Sequence, residues 1–598
     1  MAIIGIDLGT TNSLAAVWRN HHSELIPNAA GEYLTPSAVS VDEDGAILTG
    51  RAAKERLVSH PERSAAGFKR DMGTGRKYHL GGYVFSPEEL SSFILRALRE
   101  DAERYLGEPV TEAVVSVPAY FAEGQRAATK RAAALAGLRV ERLINEPSAA
   151  AVAGERLSDG EQKTALVFDF GGGTLDVSLV EMFDNVVSVA AVSGDIRLGG
   201  RDFDLAIARA FCQECGLTWN QLSPRQRGNL LYQAEICKVA LSGREPVLMS
   251  VMDGEISASL ILTSEWLIRK CGMLFRRMTA PVRKVFLDAG MPPSELDDLI
   301  MVGGSSRMPT VRSYISRFLK KEPVRKLPPD TAIARGAGVC AGMKGHEREL
   351  RDLILTDICP FTLGVDVINQ SEPGRLLMSP IIERNSVLPT SRMGVYSTTR
   401  DNQDRVEIRI YQGENRYCAD NTYLGKMELS VPPGPAGEQS VRIRFTYDIN
   451  GLFEAEAVND LGERTRLLLR DGDMSEEELR VRLGELEKLK LHPREQAVNR
   501  EVTARGERLY AVTVGNTRYQ VGKMLDWFQV QLGTLDPLRI ASARRKATQF
   551  FEQVETYLES ASLSPEDWPD AEEDNDFWRH DGEEDDDFWR YDDAEGET

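Results

Sequence analysis

At 598 residues the chain is too long for one hydrophobic core, since single cores stop growing near ~250–300 residues, so several domains are expected. Apolar residues at 42% and charged residues at 27% are ordinary for a water-soluble globular chain, and no charge-free apolar run approaches the ~18 residues of a spanning helix. The net charge of −20 leaves no basic surplus to suggest a general nucleic-acid binder, and 17 acidic against 2 basic side chains in residues 564–598 leave only about −5 to the rest.

The opening Met-Ala-Ile-Ile-Gly-Ile-Asp reads as an apolar strand without a basic leader or cleavage site, so a cytoplasmic protein is expected, with no membrane partner. Seven cysteines suit that reducing compartment. Cys212 and Cys215 form the one close pair, and no second pair completes a zinc tetrad, so they read as incidental thiols.

Through residue 351 short apolar runs alternate with longer amphipathic ones. Ile3–Asp7, Ala113–Val117, Ala165–Phe170 and Leu299–Val302 read as strands, and Pro87–Tyr105 and Glu123–Ala136 as helices, which together predict α/β layers. From Phe361 the pattern becomes strict alternation, as in Val406–Ile410 and Val441–Phe445, punctuated by turn signals at Pro432 and Ile449. This predicts an antiparallel β region. From Ser475 the period turns helical. Ser475 and Glu478 form a capping-box pattern, and Leu479, Leu483, Leu486 and then Val521, Met524, Leu525, Phe528 and Leu532 recur at helical spacing, with Pro493 and Pro537 as punctuation. The acidic end has the composition of disorder.

Two segments share one chemical design. Ile4-Gly-Ile-Asp-Leu-Gly-Thr-Thr-Asn-Ser and Leu166-Val-Phe-Asp-Phe-Gly-Gly-Gly-Thr each run strand, aspartate, then a Gly/Thr hairpin. Glycines let backbone N–H groups approach a phosphate, threonine hydroxyls add donors, and the strand-end aspartate offers a hard oxygen to Mg²⁺ or its waters. Either segment alone could be a plain tight hairpin, and neither is a Walker A sequence. A third glycine pair in Met301-Val-Gly-Gly-Ser-Ser-Arg-Met-Pro makes coincidence a poor account of all three.

These loops, with Val117-Pro-Ala-Tyr-Phe, Ile144-Asn-Glu-Pro-Ser-Ala-Ala-Ala, Leu198-Gly-Gly-Arg-Asp-Phe-Asp, Thr362-Leu-Gly-Val-Asp and Asp401-Asn-Gln, resemble the ordered signatures of the seventy-kilodalton heat-shock (DnaK-like) chaperone family. The segment from Leu489, Leu-Lys-Leu-His-Pro-Arg-Glu, resembles its HscC branch. The resemblance implies an α/β, actin-like two-lobed ATPase over residues 1–351, an interdomain linker at 352–357, and an antiparallel β-sandwich peptide-binding domain at 358–474. A helical lid at 475–563 and an acidic tail at 564–598 would follow.

It also implies roles. Lys69, Glu146, Asp169 and Thr174 would be catalytic, and Asp7 with Asp169 would organise Mg²⁺ through water. ATP or ADP would be held by Gly9, Thr10, Thr11, Asn12, Gly171, Gly172, Gly173, Gly199 and Gly200, by Glu235, Lys238 and Ser242 at the adenosine, and by Gly303, Gly304, Arg307 and Asp330. Extended client peptides would meet Val365, Ile368, Tyr396, Thr399, Val406 and Ile408. Pro118, Arg126, Leu353, Ile354, Leu355 and Asp357 would couple the domains, and Arg142, Asn145 and Asp357 would engage a J-domain co-chaperone.

Departures from the family pattern bear on these roles. Thr356 stands where the usual linker is apolar, which weakens docking. Ile368 and Thr399 alter the arch over the peptide. The stretches between Lys69 and Pro118 and between Ser242 and Thr263 are shorter than usual, implying faster nucleotide release and a doubtful need for a GrpE-type exchange factor. Asp574-Asn-Asp-Phe-Trp-Arg returns eleven residues later as Asp585-Asp-Asp-Phe-Trp-Arg, a candidate bivalent docking motif or simply solvating tail. An ATP-binding holdase or exchange factor with little hydrolysis is the alternative reading, and a sugar-kinase relative a more distant one.

Overall fold

The computed structural model describes residues 2–153, 163–183, 186–253, 256–324, 328–351, 353–369, 372, 374–448, 452–469, 494, 497–534 and 537–561. The capping box at Ser475, the Leu479–Leu486 stripe, all of the HscC-like segment but Arg494, the Ile449 turn and the acidic Phe-Trp-Arg tail lie outside these residues. The chain divides into two units, Met1–Lys490 and Leu491–Thr598.

Two sheets of the first unit repeat one topology. In one, Ile3–Asp7 pairs in parallel with Glu112–Val117 and antiparallel with Asn12–Arg19; in the other, Lys163–Phe170 pairs in parallel with Asp298–Val302 and antiparallel with Leu175–Phe183. The central strands are continuous apolar runs because they are covered on both faces, and Ile4, Ile6, Leu166 and Phe168 are all fully buried. Each Gly/Thr hairpin therefore leaves the carboxyl end of a parallel strand, the edge at which open α/β sheets bind ligands.

The covering helices follow from the sequence pattern. Pro87–Leu106 starts at a Ser86–Glu89 capping box, buries Leu90, Ile94, Leu95, Leu98 and Ala102 on one face, and stops at left-handed Gly107. The small-residue helix Ala332–Lys344 packs on both Ile3–Asp7 and the Glu146–Ala153 helix, tying the first sheet to the segment that carries Glu146.

Residues 354–358 form a strand that continues the second sheet. It runs parallel to Val186–Asp195, with Val187 opposite Leu355 and Ser188 opposite Thr356, and antiparallel to Val387–Leu388 on its other side. Beyond it lie two four-stranded antiparallel sheets. One contains Leu363–Ile368, Leu376–Ile382, Arg405–Gln412 and Thr422–Ser430; the other contains Thr390–Ser397, Ser440–Tyr447, Phe453–Asn459 and Arg464–Leu469. Their inward side chains, including Val365, Ile408, Ile410, Ile443, Phe445 and Phe453, share one apolar cluster. Glu407 points outward beside buried Ile408, as period-two alternation requires.

In the second unit the helices Ala497–Val512, Gly515–Gly533 and Pro537–Ala561 surround Leu509, Val521, Met524, Phe528, Leu532 and Phe551. The 3–4 spacing of the Val521–Leu532 stripe is the face that buries. Among the described residues no helix is long and apolar enough to cross a membrane. All seven cysteines are free thiols.

Candidate functional site

The two Gly/Thr hairpins meet face to face. A Cβ on Gly172 would lie 1.8 Å from Thr11 Oγ1, and one on Gly173 would lie 2.4 Å from Thr10 Cγ2. Any larger residue at either position would force the loops apart. Between the two sheets opens a cavity of about 940 Å³, lined by Asp7, Gly9, Thr10, Thr11 and Asn12 from the first hairpin and by Asp169, Gly171, Gly172 and Thr174 from the second. Lys69, Glu146, Gly200, Glu235, Lys238, Ser242, Gly303, Gly304, Arg307 and Asp330 complete the predicted set on its wall. Gly173 and Gly199 stand behind the wall, packed against Thr10 and Gly172 respectively, so their part is to let the loops approach.

Lys69 and Glu146 form a buried ion pair, Nζ to Oε1 2.7 Å. Burial opposes the Lys69 charge, but Glu146 and then Asp7 outweigh it and hold the ammonium above its ordinary pKa. Burial, and then Glu146, push the Asp7 carboxyl up to about 7; the Ser116 hydroxyl donates to Asp7 Oδ1 at 3.1 Å. The same two causes raise Asp176 to about 7, and burial lifts Asp169 well above the carboxylate range. Four buried carboxyl groups thus face Lys69, a charge balance that calls for a further cation. Among the described residues Thr11 Oγ1 is buried without a hydrogen-bond partner, as a hydroxyl awaiting a phosphate oxygen would be. Both features fit a nucleotide polyphosphate with Mg²⁺.

At the other end of the cavity Lys238 pairs with Asp204 at 2.7 Å and donates to the Gly200 carbonyl at 2.9 Å, while Lys54 pairs with Glu235 at 2.8 Å. Arg307 and Asp330 close the rim at 2.5 Å. Asp176, Asp204, Lys54, Arg70 and Arg201 were not singled out from sequence. Asp176 sits two residues after Thr174 in the same hairpin, and Asp204 ends a quoted signature; Lys54 lies on the Gly50–Ser59 helix with no motif to mark it.

The remaining candidates divide into groups. Val365 and Ile408 are buried in the β-region cluster with Tyr396 and Val406 packed against it, whereas Ile368 is half exposed and Thr399 exposed. Tyr396 Oη shares a hydrogen bond with Ser379 Oγ at 3.1 Å. Leu355 is buried and Leu353 packs on the same cluster, while Ile354 faces outward. Arg126 donates to Asn145 Oδ1 at 2.5 Å and to the Phe121 carbonyl at 3.2 Å, so Asn145, which is buried, is engaged internally. Pro118 is buried, and Arg142 and Asp357 are half-buried.

Side chains of the β region reach helices and a turn of the α/β region directly. Arg384 pairs with Asp288 at 2.5 Å, Tyr447 Oη donates to Glu123 Oε2 at 2.6 Å, and the Tyr120 and Phe361 rings lie 4.7 Å apart. None of these partners was legible as a pair in the sequence.

The Hsp70 protein family model matches residues 3–80 and 74–526, and the paired hairpins, buried lysine and carboxyl cluster lie within that span. The chain therefore belongs to the Hsp70 family, whose members are ATP-dependent chaperones and ATPases that bind ATP and ADP, usually with Mg²⁺, and generally engage client polypeptides and J-domain co-chaperones.

Proposed function

We propose that this chain couples ATP hydrolysis to the grip of a β-sandwich peptide domain with a helical lid, as a specialised, HscC-like chaperone. The observation that carries the coupling is the strand Ile354–Ile358, which hydrogen-bonds to the ATPase sheet on one side and to the β region on the other. A strand with both neighbours cannot leave one without disturbing the other, so nucleotide-driven movement of the ATPase sheet has a mechanical route to the peptide domain.

In this reading Thr10, Thr11 and Thr174 would donate to the phosphates, and Asp7 and Asp169 would hold Mg²⁺ through water. Bound Mg²⁺ supplies neutralisation of the phosphate charge. Lys69 sits where it can neutralise the γ-phosphate, and Glu146, fixed by that lysine, orients the attacking water toward phosphorus as ADP departs. Phosphoryl transfer asks chiefly for such positioning and charge stabilisation. Glu235, Lys238 and Ser242 hold the adenosine end.

An extended client would hydrogen-bond through its backbone along the β region, with Val365, Tyr396, Val406 and Ile408 forming its pocket and Ile368 and Thr399 arching over it. A hundredfold change in client affinity requires about 2.7 kcal/mol of coupling, within the ordinary allosteric range. The Arg142 and Asp357 surfaces would receive the J-domain partner. The test is release of a fluorescent peptide on adding ATP, repeated with Thr174→Ala. ATP-triggered release that the substitution blunts is expected; a peptide affinity indifferent to ATP would overturn the coupling.

A further inference from the structure

Beside the nucleotide cavity lies a second one of about 390 Å³, lined by Ala66, Gly67, Arg70, Asp71, Arg76, Tyr78, Arg197, Arg201 and Asp202. The two share a wall, because Ala66, Arg70, Arg201 and Asp202 line both. Its walls come from the two halves of the ATPase: residues 66–78 on one side, and the turn and helix start at 197–202 on the other. Four guanidiniums face it against two carboxylates.

Those carboxylates already have partners. Asp202 accepts from Arg70 at 2.6 Å, and Asp71 accepts from Arg76 at 2.9 Å and from Tyr78 Oη at 2.5 Å. Arg70 is further fixed by donating from Nε to the Gly173 carbonyl at 2.6 Å, which anchors it to the second phosphate hairpin. Arg201 and Arg197 differ. Among the described residues no hydrogen bond or ion pair reaches either guanidinium. Arg201 is half-buried, and its guanidinium lies so close to Gly67 that a Cβ there would stand 2.7 Å from Nη1. Gly67 also holds a left-handed φ of 76°, so two constraints keep the position small and the guanidinium in place. Burial, with Arg70 next, pulls Arg201 below its ordinary pKa, against smaller raising contributions from Asp204 and Glu235.

We propose that this side cavity is an oxyanion site that takes up the inorganic phosphate leaving the nucleotide cleft. Planar guanidiniums offer paired donors that match phosphate oxygens, and two of them here have no competing acceptor. Phosphate held between the 66–78 and 197–202 walls would bridge the two halves of the ATPase and delay their separation after hydrolysis. The sequence of events rests on the ATPase reading above, but the site itself does not require turnover.

The experiment is a calorimetric titration of inorganic phosphate into the full-length, ADP-loaded protein, compared with Arg197→Gln and the Arg197→Gln/Arg201→Gln pair. Arg197 and Arg76 line the side cavity and not the nucleotide cavity, so a loss at Arg197 cannot come from the γ-phosphate position. Saturable binding is expected in the parent, weakened about threefold in the single variant and about tenfold or more in the double, the scale of losing charge-assisted contacts. Single-turnover phosphate release should quicken in the same order. Absence of saturable binding in the parent, or equal affinity in Arg197→Gln, whose exposed side chain is not needed for folding, would overturn the site. A protein that binds phosphate here but fails to hydrolyse ATP would overturn the ATPase reading and leave the site standing.

Discussion

In the nucleotide cleft Asp7, Glu146, Asp169 and Asp176 are buried around Lys69, while in the β region Val365 and Ile408 are buried among side chains as apolar as themselves. The first arrangement costs folding energy that proton uptake, a cation or a ligand must offset; the second is what any β core looks like. Buried charge therefore announces a site, and buried hydrophobes do not. The contrast also says where substitutions should separate function from stability. In the cleft the two should part company, since removing a charge removes chemistry. In the β core they should travel together, except at the few apolar groups left exposed.

The largest effect should follow Lys69→Met. Hydrolysis in a single turnover is expected to fall on the order of 10²–10³-fold, the usual loss for one preorganised charge at a developing anion. Nucleotide binding should survive through Glu235, Lys238 and the hairpin donors. A rate within a few-fold of the parent would remove Lys69 from the chemistry and leave its pair with Glu146 as structure alone.

In the β region the comparison is sharpened by pairing Ile408→Ala with Ile368→Ala. Ile408 is 3% exposed, so truncation should cost about 2–3 kcal/mol in denaturant unfolding, with any loss of peptide binding tracking the loss of fold. Ile368 is 48% exposed, and its truncation should change stability by no more than about 0.5 kcal/mol while weakening peptide several-fold. If both variants bind peptide like the parent, this face is core and nothing more.

The same contrast explains what the sequence disclosed. Strand-Asp-Gly/Thr hairpins are local, so residues 4–13 and 166–174 marked two walls of the cavity on their own, and the α/β alternation carried the layers around them. Arg201 and Asp204 lie inside a quoted signature that did not mark them as cavity residues, and Lys54 reaches the cavity only through tertiary packing, from a helix with no motif to give it away. The pairs Arg384–Asp288 and Tyr447–Glu123 join segments 96 and 324 residues apart, a separation at which charge and hydroxyl patterns hold no information about partners. The strand at 354–358 lies where the resemblance implies a linker, but nothing in the sequence named its two neighbours.

Thr356 tests the linker at its weakest residue. Among the described residues its hydroxyl is buried without a hydrogen-bond partner opposite Ser188, so the docked strand loses about 1–3 kcal/mol that an apolar isostere would not. Thr356→Val should therefore favour docking. Protease cleavage at the linker should slow about five- to tenfold in the ATP-bound protein, and ATP should release peptide more completely. Unchanged cleavage would mean that the hydroxyl finds water or a partner in solution, and that the residue is neutral to coupling.

The smallest expected effect concerns pH and returns to the carboxyl cluster. Asp176 is raised to about 7 by burial and by Glu146, against lowering contributions from the Tyr120 N–H, Lys69 and Thr174. An unfolded aspartate ionises near 3.9, so between these values the folded chain holds a proton that the unfolded chain has released. Stability of the nucleotide-free protein must then rise as pH falls from 8 toward 6, and the gain levels off only below the unfolded pKa. For this one group the change across that interval is on the order of 1 kcal/mol. Asp176→Asn, which cannot ionise, should unfold with a flatter dependence than the parent over the same range. Parallel curves would mean that Asp176 is already ionised in the folded chain, its charge compensated by Lys69 and water, and that burial does not hold a proton on this carboxyl.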